Sequence, residues 1–168
     1  MVNEPASDFE GFYLSTRDRC FRAVLATVGN AQEADDLLAE SYTRALAHWS
    51  SVVEHPAPSA WVVRTALNLH RDRWRRKRRL RMVPPTNPEQ APFVAEIDPT
   101  ILQSLDHLSD RQRDVVIYRV LLGLSANDTA RELDIEPGTV GTHLRRGLAA
   151  LRVALTATES ATTLEIRK

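Results

Sequence analysis

The chain lacks most of what a metal, a nucleotide or a membrane would require. Its 168 residues include one cysteine, Cys20. A lone thiol cannot close an internal disulfide or build a multi-cysteine zinc site, and its ordinary place is as a small apolar residue in a core. Only 6 glycines are present, and none falls in a P-loop or a dinucleotide fingerprint. The five histidines, His48, His55, His70, His107 and His143, are scattered. None pairs at i, i+4, and no HExxH motif occurs, so no metal and no cofactor is expected. Apolar runs such as Val115-Val116-Ile117 fall far short of the ~20 residues that cross a bilayer. The opening MVNEPASDFEG is acidic and lacks the basic-then-apolar order of a secretory leader, so no membrane association and a cytoplasmic location are expected. Asp35 and Asp36 are the one tempting carboxylate pair. Adjacent helical positions diverge by about 100°, however, and cannot share a substrate. Acidic residues in a first turn instead favour the helix dipole, and no enzyme is expected.

Net charge is also missing, but only as an average: 22 Lys+Arg balance 22 Asp+Glu. Residues 1–63 hold 4 basic and 9 acidic side chains, and residues 64–81 hold 9 basic and 1 acidic. Residues 82–110 hold 5 acidic and none basic, while residues 111–168 hold 9 basic and 7 acidic. The blocks therefore run −5, +8, −5 and +2. A block of +8 in so short a stretch attracts phosphates, while the acidic segments keep the whole chain neutral.

Prolines divide the chain. Pro84, Pro85, Pro88, Pro92 and Pro99 are 5 of its 9. Each removes a donor and pushes its predecessor toward extended backbone, so residues 82–98 are expected to form a flexible, acidic, Pro-rich linker. Two modules flank it, 1–81 and 99–155. The Thr/Ala-rich stretch 156–168 has little to bury and is expected to be disordered.

Both modules read as helix, and strand signals are absent, so the predicted fold is all-α with two small helical domains. Phe9, Tyr13, Cys20, Val24 and Val28 suggest a first amphipathic helix. Ala34, Leu37, Leu38, Ser41, Tyr42, Ala45, Leu46 and Trp49 trace the buried face of a second. Asn30 with Glu33 resembles a capping box for it, after Gly29 ends the helix before. Ser59 is the expected N-cap of a third helix. Its inner face carries Val63, Ala66, Leu67, His70 and Trp74, and another face carries Arg64, Asn68, Arg71 and Arg75. Beyond the linker, Asp98-Pro99 opens a helix. Ser109 with Gln112 caps one carrying Val116, Ile117, Val120 and Leu121, which Gly123 stops. Ser125 with Asp128 caps a short helix ending near Leu133. Glu136-Pro137 opens the last, with Val140, Leu144, Leu148 and Leu151 facing inward.

Two signals carry chemistry. The arginine-rich helix Arg64 to Arg81 has Trp61 and Trp74 interleaved. Such a run can be a solvated face, but guanidinium both pairs with phosphate and stacks on bases. The short helix, tight turn and longer helix around Asp134 to Pro137 form a helix-turn-helix pattern, or else a plain helical hairpin. Thr139, Thr142, His143, Arg145 and Arg146 would stand near the start of its second helix, with side chains able to reach base edges and phosphates.

Together these segments resemble an extracytoplasmic-function (ECF) RNA polymerase sigma factor. EADDLLAESYTRALAHW resembles the polymerase-binding helix of sigma region 2. PSAWVVRTALNLHRDRWRRKRR resembles its promoter-melting and minus-ten helix. LDHLSDRQRDVVIYRVLLGLSANDTARELDIEPGTVGTHLRRGLAALR resembles region 4 throughout. The resemblance implies a region 2 bundle in 1–81, a region 4 helix-turn-helix in 99–155, and promoter recognition, DNA melting and transcription initiation as the function. It implies that Asp35, Asp36, Leu37, Glu40 and Arg44 dock on the clamp helices of the polymerase's largest subunit. Region 4 would meet the flap of the second-largest subunit. Trp61, Arg64, Asn68, Arg71, Arg73, Arg75 and Arg76 would handle minus-ten DNA, and Thr139, Thr142, His143, Arg145 and Arg146 the minus-thirty-five duplex. A bacterial, nucleoid-associated location follows, and an anti-sigma partner is neither required nor forbidden.

The physical logic suits a factor without an ATP motif. Opening DNA costs about 1.4 kcal/mol per stacked step, and stacking a freed base on an aromatic ring returns about 1–3 kcal/mol. The loop between Trp49 and Trp61 lies where related factors capture such a base. Three departures stand out. Gly141 sits where the family has a basic residue, Asp134 replaces a turn glycine, and Val53 to Pro58 matches the family's loop poorly. The alternative reading is a stand-alone helix-turn-helix regulator of duplex DNA; a basic RNA-binding protein is a third.

Overall fold

The computed structural model describes residues 4–79 and 98–165, so the Pro-rich linker lies, except for Asp98, outside the described residues. Among them every regular element is a helix, and the chain divides into two compact units on either side of residue 95.

The first unit holds α1 (Glu4–Val28), α2 (Ala31–Ala47), the short α3 (Trp49–Val53) and α4 (Pro58–Arg79). Gly29 ends α1 at φ +72°, a left-handed conformation that costs glycine no Cβ clash. Asn30 then caps α2, its side chain accepting from the Glu33 N–H at 2.8 Å. The expected capping box is half made. The Glu33 carboxylate reaches His70 of α4 at 3.0 Å, tying two helices together.

Cys20, Phe21, Val24, Leu37, Leu38, Ala45, Val62, Val63 and Ala66 form the core. Burying each large apolar side chain is worth roughly 1.5–3 kcal/mol. At one end Phe9, Phe12, Tyr13, Tyr42 and Trp49 interlock, Phe12 and Trp49 lying 5.0 Å apart and Tyr13 meeting Tyr42 edge-on at 4.9 Å. The Tyr42 hydroxyl shares a 2.7 Å hydrogen bond with Thr16, so the cluster's polar end is satisfied. Burial pushes the Cys20 thiol up to about 11, which keeps it protonated at neutral pH, as an inert core residue should be.

The sequence pattern is corrected at several places. Leu46 is 52% exposed, because the covered stripe of α2 ends with Ala45 and the next residue turns about 100° away. Helix α4 begins at Pro58, which puts Ser59 inside its first turn. Trp74 is 54% exposed rather than inward. Past Leu67 no described side chain of α4 is fully buried, so the helix continues beyond the body that covers its inner face.

The second unit holds α5 (Pro99–Asp106), α6 (Asp110–Val116), α7 (Ala126–Leu133) and α8 (Pro137–Glu165). Local chemistry begins each of the first three. Asp98 accepts from Thr100 N–H at 2.8 Å, and Ser109 and Gln112 complete a reciprocal capping box. Ser125 accepts from Asp128 N–H at 3.1 Å. Val115, Ala130 and Val140 form the centre, with Leu133, Ile135 and Leu144 packed around it.

From Ile117 to Leu121 the ladder widens to a π-helical turn, Leu122 N–H bonding the Ile117 carbonyl at 3.1 Å. The widening rotates the residues that follow, so Val120 points to solvent while Tyr118 and Leu122 are buried. In α8 the inward residue is Gly147, not Leu148. A Cβ there would stand 3.0 Å from a Val116 methyl, and Leu148 is exposed. Helix α8 also continues to Glu165, through most of the stretch expected to lack structure. Its Ala, Leu and Glu are good helix formers.

Candidate functional site

In α2, the apolar stripe holds one face in the core and leaves an acidic-to-basic row on the other. Asp36 is exposed, receiving a 3.4 Å hydrogen bond from Gln32. Asp35 is held at 3.0 Å by Arg17 of α1. Glu40 accepts from Arg44 at 2.6 Å and from Arg73 of α4 at 2.9 Å. The bond from Arg44, followed by that from Arg73, holds its carboxyl below the usual glutamate value. Leu37 is a correction: it is fully buried and cannot itself meet a partner. Its place is beneath the row, supporting it.

On α4, Arg64, Asn68, Arg71 and Arg75 form one exposed stripe, and Arg76 is exposed beside it. Arg71 donates to the Asn68 side-chain Oδ1 at 3.3 Å. Arg73 is placed apart from them, since nine residues from Arg64 carries it to the far side of the helix, toward Glu40. Between α2 and α4 opens a cavity of about 320 Å³ lined by Arg44, His48, Trp61, Thr65, Asn68 and Asp72. It brings one residue expected to meet polymerase together with two expected to meet DNA. Thr65 and Asp72 went unremarked in the sequence, although Trp61, Thr65, Asn68 and Asp72 recur at i, i+4, i+7, i+11. That spacing was the available signal. The segment before α4 is a short helix and a turn, in which Ala57 N–H bonds the His55 ring at 3.1 Å.

In the second unit, α7 ends on Asp134 at φ +52°, the left-handed turn residue expected there. Ile135 N–H returns to the Ala130 carbonyl at 3.0 Å, and Pro137 starts α8. Arg145 and Arg146 are exposed. Thr139, Thr142 and His143 are half-buried, so the outward row is narrower than the sequence pattern implied. No group of His, Cys, Asp or Glu suited to a metal occurs among the described residues.

This geometry coincides with two family matches: Sigma-70 region 2 over residues 12–80 and Sigma-70 region 4 over residues 100–151. An RNA polymerase sigma-E factor of Streptomyces coelicolor is 30% identical over 155 residues, covering 89% of this chain and 87% of that one. The ECF RNA polymerase sigma factor SigW of Bacillus subtilis is 30% identical over 157 residues, covering 83% and 84%. The chain belongs to the ECF RNA polymerase sigma factors. Its fold is shared with the sigma factor RpoE of Bartonella quintana, solved with the anti-sigma factor NepR, at a TM-score of 0.73 and 20% identity over 89% of this chain and 97% of that one.

This sigma factor therefore binds core RNA polymerase and directs it to promoters for initiation. Its family is one of non-enzymatic initiation factors. The stand-alone regulator is not favoured, since the relatives match along both units. No described helix is long and apolar enough to cross a membrane.

Proposed function

We propose that the exposed row Asp36, Glu40 and Arg44, flanked by Asp35 and supported from beneath by Leu37, docks on the clamp helices of the polymerase's largest subunit. The stripe Arg64, Asn68, Arg71 and Arg75, with Arg76 and Trp61, holds the opened minus-ten strand. Thr139, Thr142, His143, Arg145 and Arg146 read the minus-thirty-five duplex while the second unit meets the polymerase flap. Residues 1–81 and 99–155 are the working domains, and residues 82–98 tether them.

The observation that carries this reading is the division of labour in the first unit. One helix turns an ordered row of both charges outward, and its neighbour turns a nearly pure cationic stripe outward. A duplex-binding repressor needs only the second. With no ATP motif, strand opening is offset by capturing the separated strand on arginines and an aromatic face. The chain acts at the nucleoid and performs no catalysis of its own. An anti-sigma protein is its proposed regulator, by analogy with the complex from Bartonella quintana.

Run-off transcription with core polymerase tests the reading. The full chain is expected to support initiation on a cognate promoter. Arg71→Glu combined with Arg75→Glu should abolish open-complex formation while polymerase binding persists. Initiation that survives this double change at parental level would refute the minus-ten assignment.

A further inference from the structure

We propose that Arg73 belongs to the polymerase-docking surface rather than to the DNA-holding stripe, so that this surface is built from two helices joined through Glu40. The inference rests on the docking role proposed for α2. Two observations bring Arg73 to that side. It lies on the far side of α4 from Arg64, Asn68, Arg71 and Arg75, and its guanidinium donates to Glu40 Oε2 at 2.9 Å. A residue so held cannot also line the strand gripped by the opposite stripe.

The charge arithmetic of the cluster points to a partner. Glu40 offers one negative charge and receives two guanidiniums, Arg44 on Oε1 and Arg73 on Oε2. The three side chains keep between 37% and 51% of their surface exposed. Exposed pairs of this kind add at most about 1 kcal/mol to a fold, so stability alone gives little reason for the arrangement. What remains is a solvated cluster of mixed sign: two guanidiniums on Glu40, the acidic Asp36 one turn before it, and Asp72 lining the same cavity as Arg44. It fits a helical partner surface of mixed sign, with a carboxylate that meets Arg44 and Arg73 and a basic group that meets Asp36.

Polymerase affinity is the readout, measured by competition against a fluorescent copy of the full chain for core enzyme, with thermal melting of each variant alongside. Arg73→Glu is expected to weaken core binding tenfold or more. Arg22→Glu, an equal charge reversal at an exposed position of α1, is expected to stay within twofold of the parent. The swap Glu40→Arg with Arg73→Glu restores an ion pair of reversed polarity. It should melt higher than Glu40→Arg alone, although Arg44 loses its carboxylate at position 40, and yet leave core binding weak, because the partner reads the polarity. Recovery of affinity along with melting temperature would make Arg73 an internal brace and overturn the inference. So would parental affinity in Arg73→Glu when Asp36→Arg binds weakly. Parental affinity in Asp36→Arg would instead remove the docking role of α2, and this inference with it.

Discussion

The two units differ in how the arginines of their helices are used. In the second, Arg111 donates to the Leu133 carbonyl at 3.0 Å and Arg113 to the Leu105 carbonyl at 3.1 Å, so α6 closes the C-terminal ends of α7 and α5. Arg119 donates in the same way to the Leu124 carbonyl. Three of that unit's cations thus satisfy the carbonyls that a helix end or turn leaves without partners. In the first unit, Arg64, Arg71, Arg75 and Arg76 of α4 are exposed, and Arg73 turns to a neighbouring helix. Counting charges along a chain gives a total, not a field: a cation bonded to a backbone carbonyl is committed to the fold, whereas one on an exposed stripe shapes the potential at the surface.

The units also differ in what holds them. Long helices pressed on a deep aliphatic and aromatic core dominate the first, whereas in the second three short helices started by side-chain caps pack on the long α8. Replacing Leu37 with Ala should do the most damage. Its side chain is fully buried in the larger core, and such a change costs about 2–5 kcal/mol. Denaturant unfolding should show the first unit melting early while the second keeps its transition; a common shift in both would merge units that the comparison separates. Ser109→Ala should act in the second unit only, costing about 1 kcal/mol as the half of the capping box in which the Ser109 hydroxyl accepts from the Gln112 N–H is lost. Amide exchange at the start of α6 would register it, and unchanged protection there would deny the cap its role. The smallest change is a gain. Gly141 lies exposed within α8, and nothing stands within 4 Å of where a Cβ would be placed. Gly141→Ala should therefore stabilise the second unit by about 1 kcal/mol, read as a higher melting temperature for that unit. A lower one would mean the glycine is needed for its backbone.

Features set by near neighbours in the chain were legible beforehand. The caps at Asp98, Ser109 and Ser125 each depend on a hydrogen bond spanning two or three residues. The left-handed Asp134 and the start of α8 at Pro137 are equally local. What escaped was set by distance. Apolar periodicity places Trp74 on the inner face of α4, which is correct as geometry, but only packing decides where the covering helices stop. Leu46 fails for the same reason at the end of α2. Val120 was lost to one widened turn, which no propensity announces, and Leu148 to a glycine that lets α8 approach Val116.

The site divided similarly. The exposed arginine stripe followed from spacing alone. The apolar rhythm of α2 already places Leu37 inward, against the docking role that the resemblance implies for it, whereas only the neighbouring helix shows that Arg73 faces Glu40. The even balance of 22 against 22 reflects these separate placements and describes neither unit.

The aromatic cluster around Trp49 has a spectroscopic consequence. All three tryptophans, Trp49, Trp61 and Trp74, lie in the first unit, and they run from buried through partly covered to half-exposed. Light absorbed by tryptophan alone excites one half of the molecule and leaves the other dark. Trp49, enclosed by Phe9 and Phe12, reports whether the bundle is intact, and Trp74 emits from the solvent side of the basic helix. Intrinsic fluorescence can therefore follow the melting of the first unit without labels, uncontaminated by events in the second.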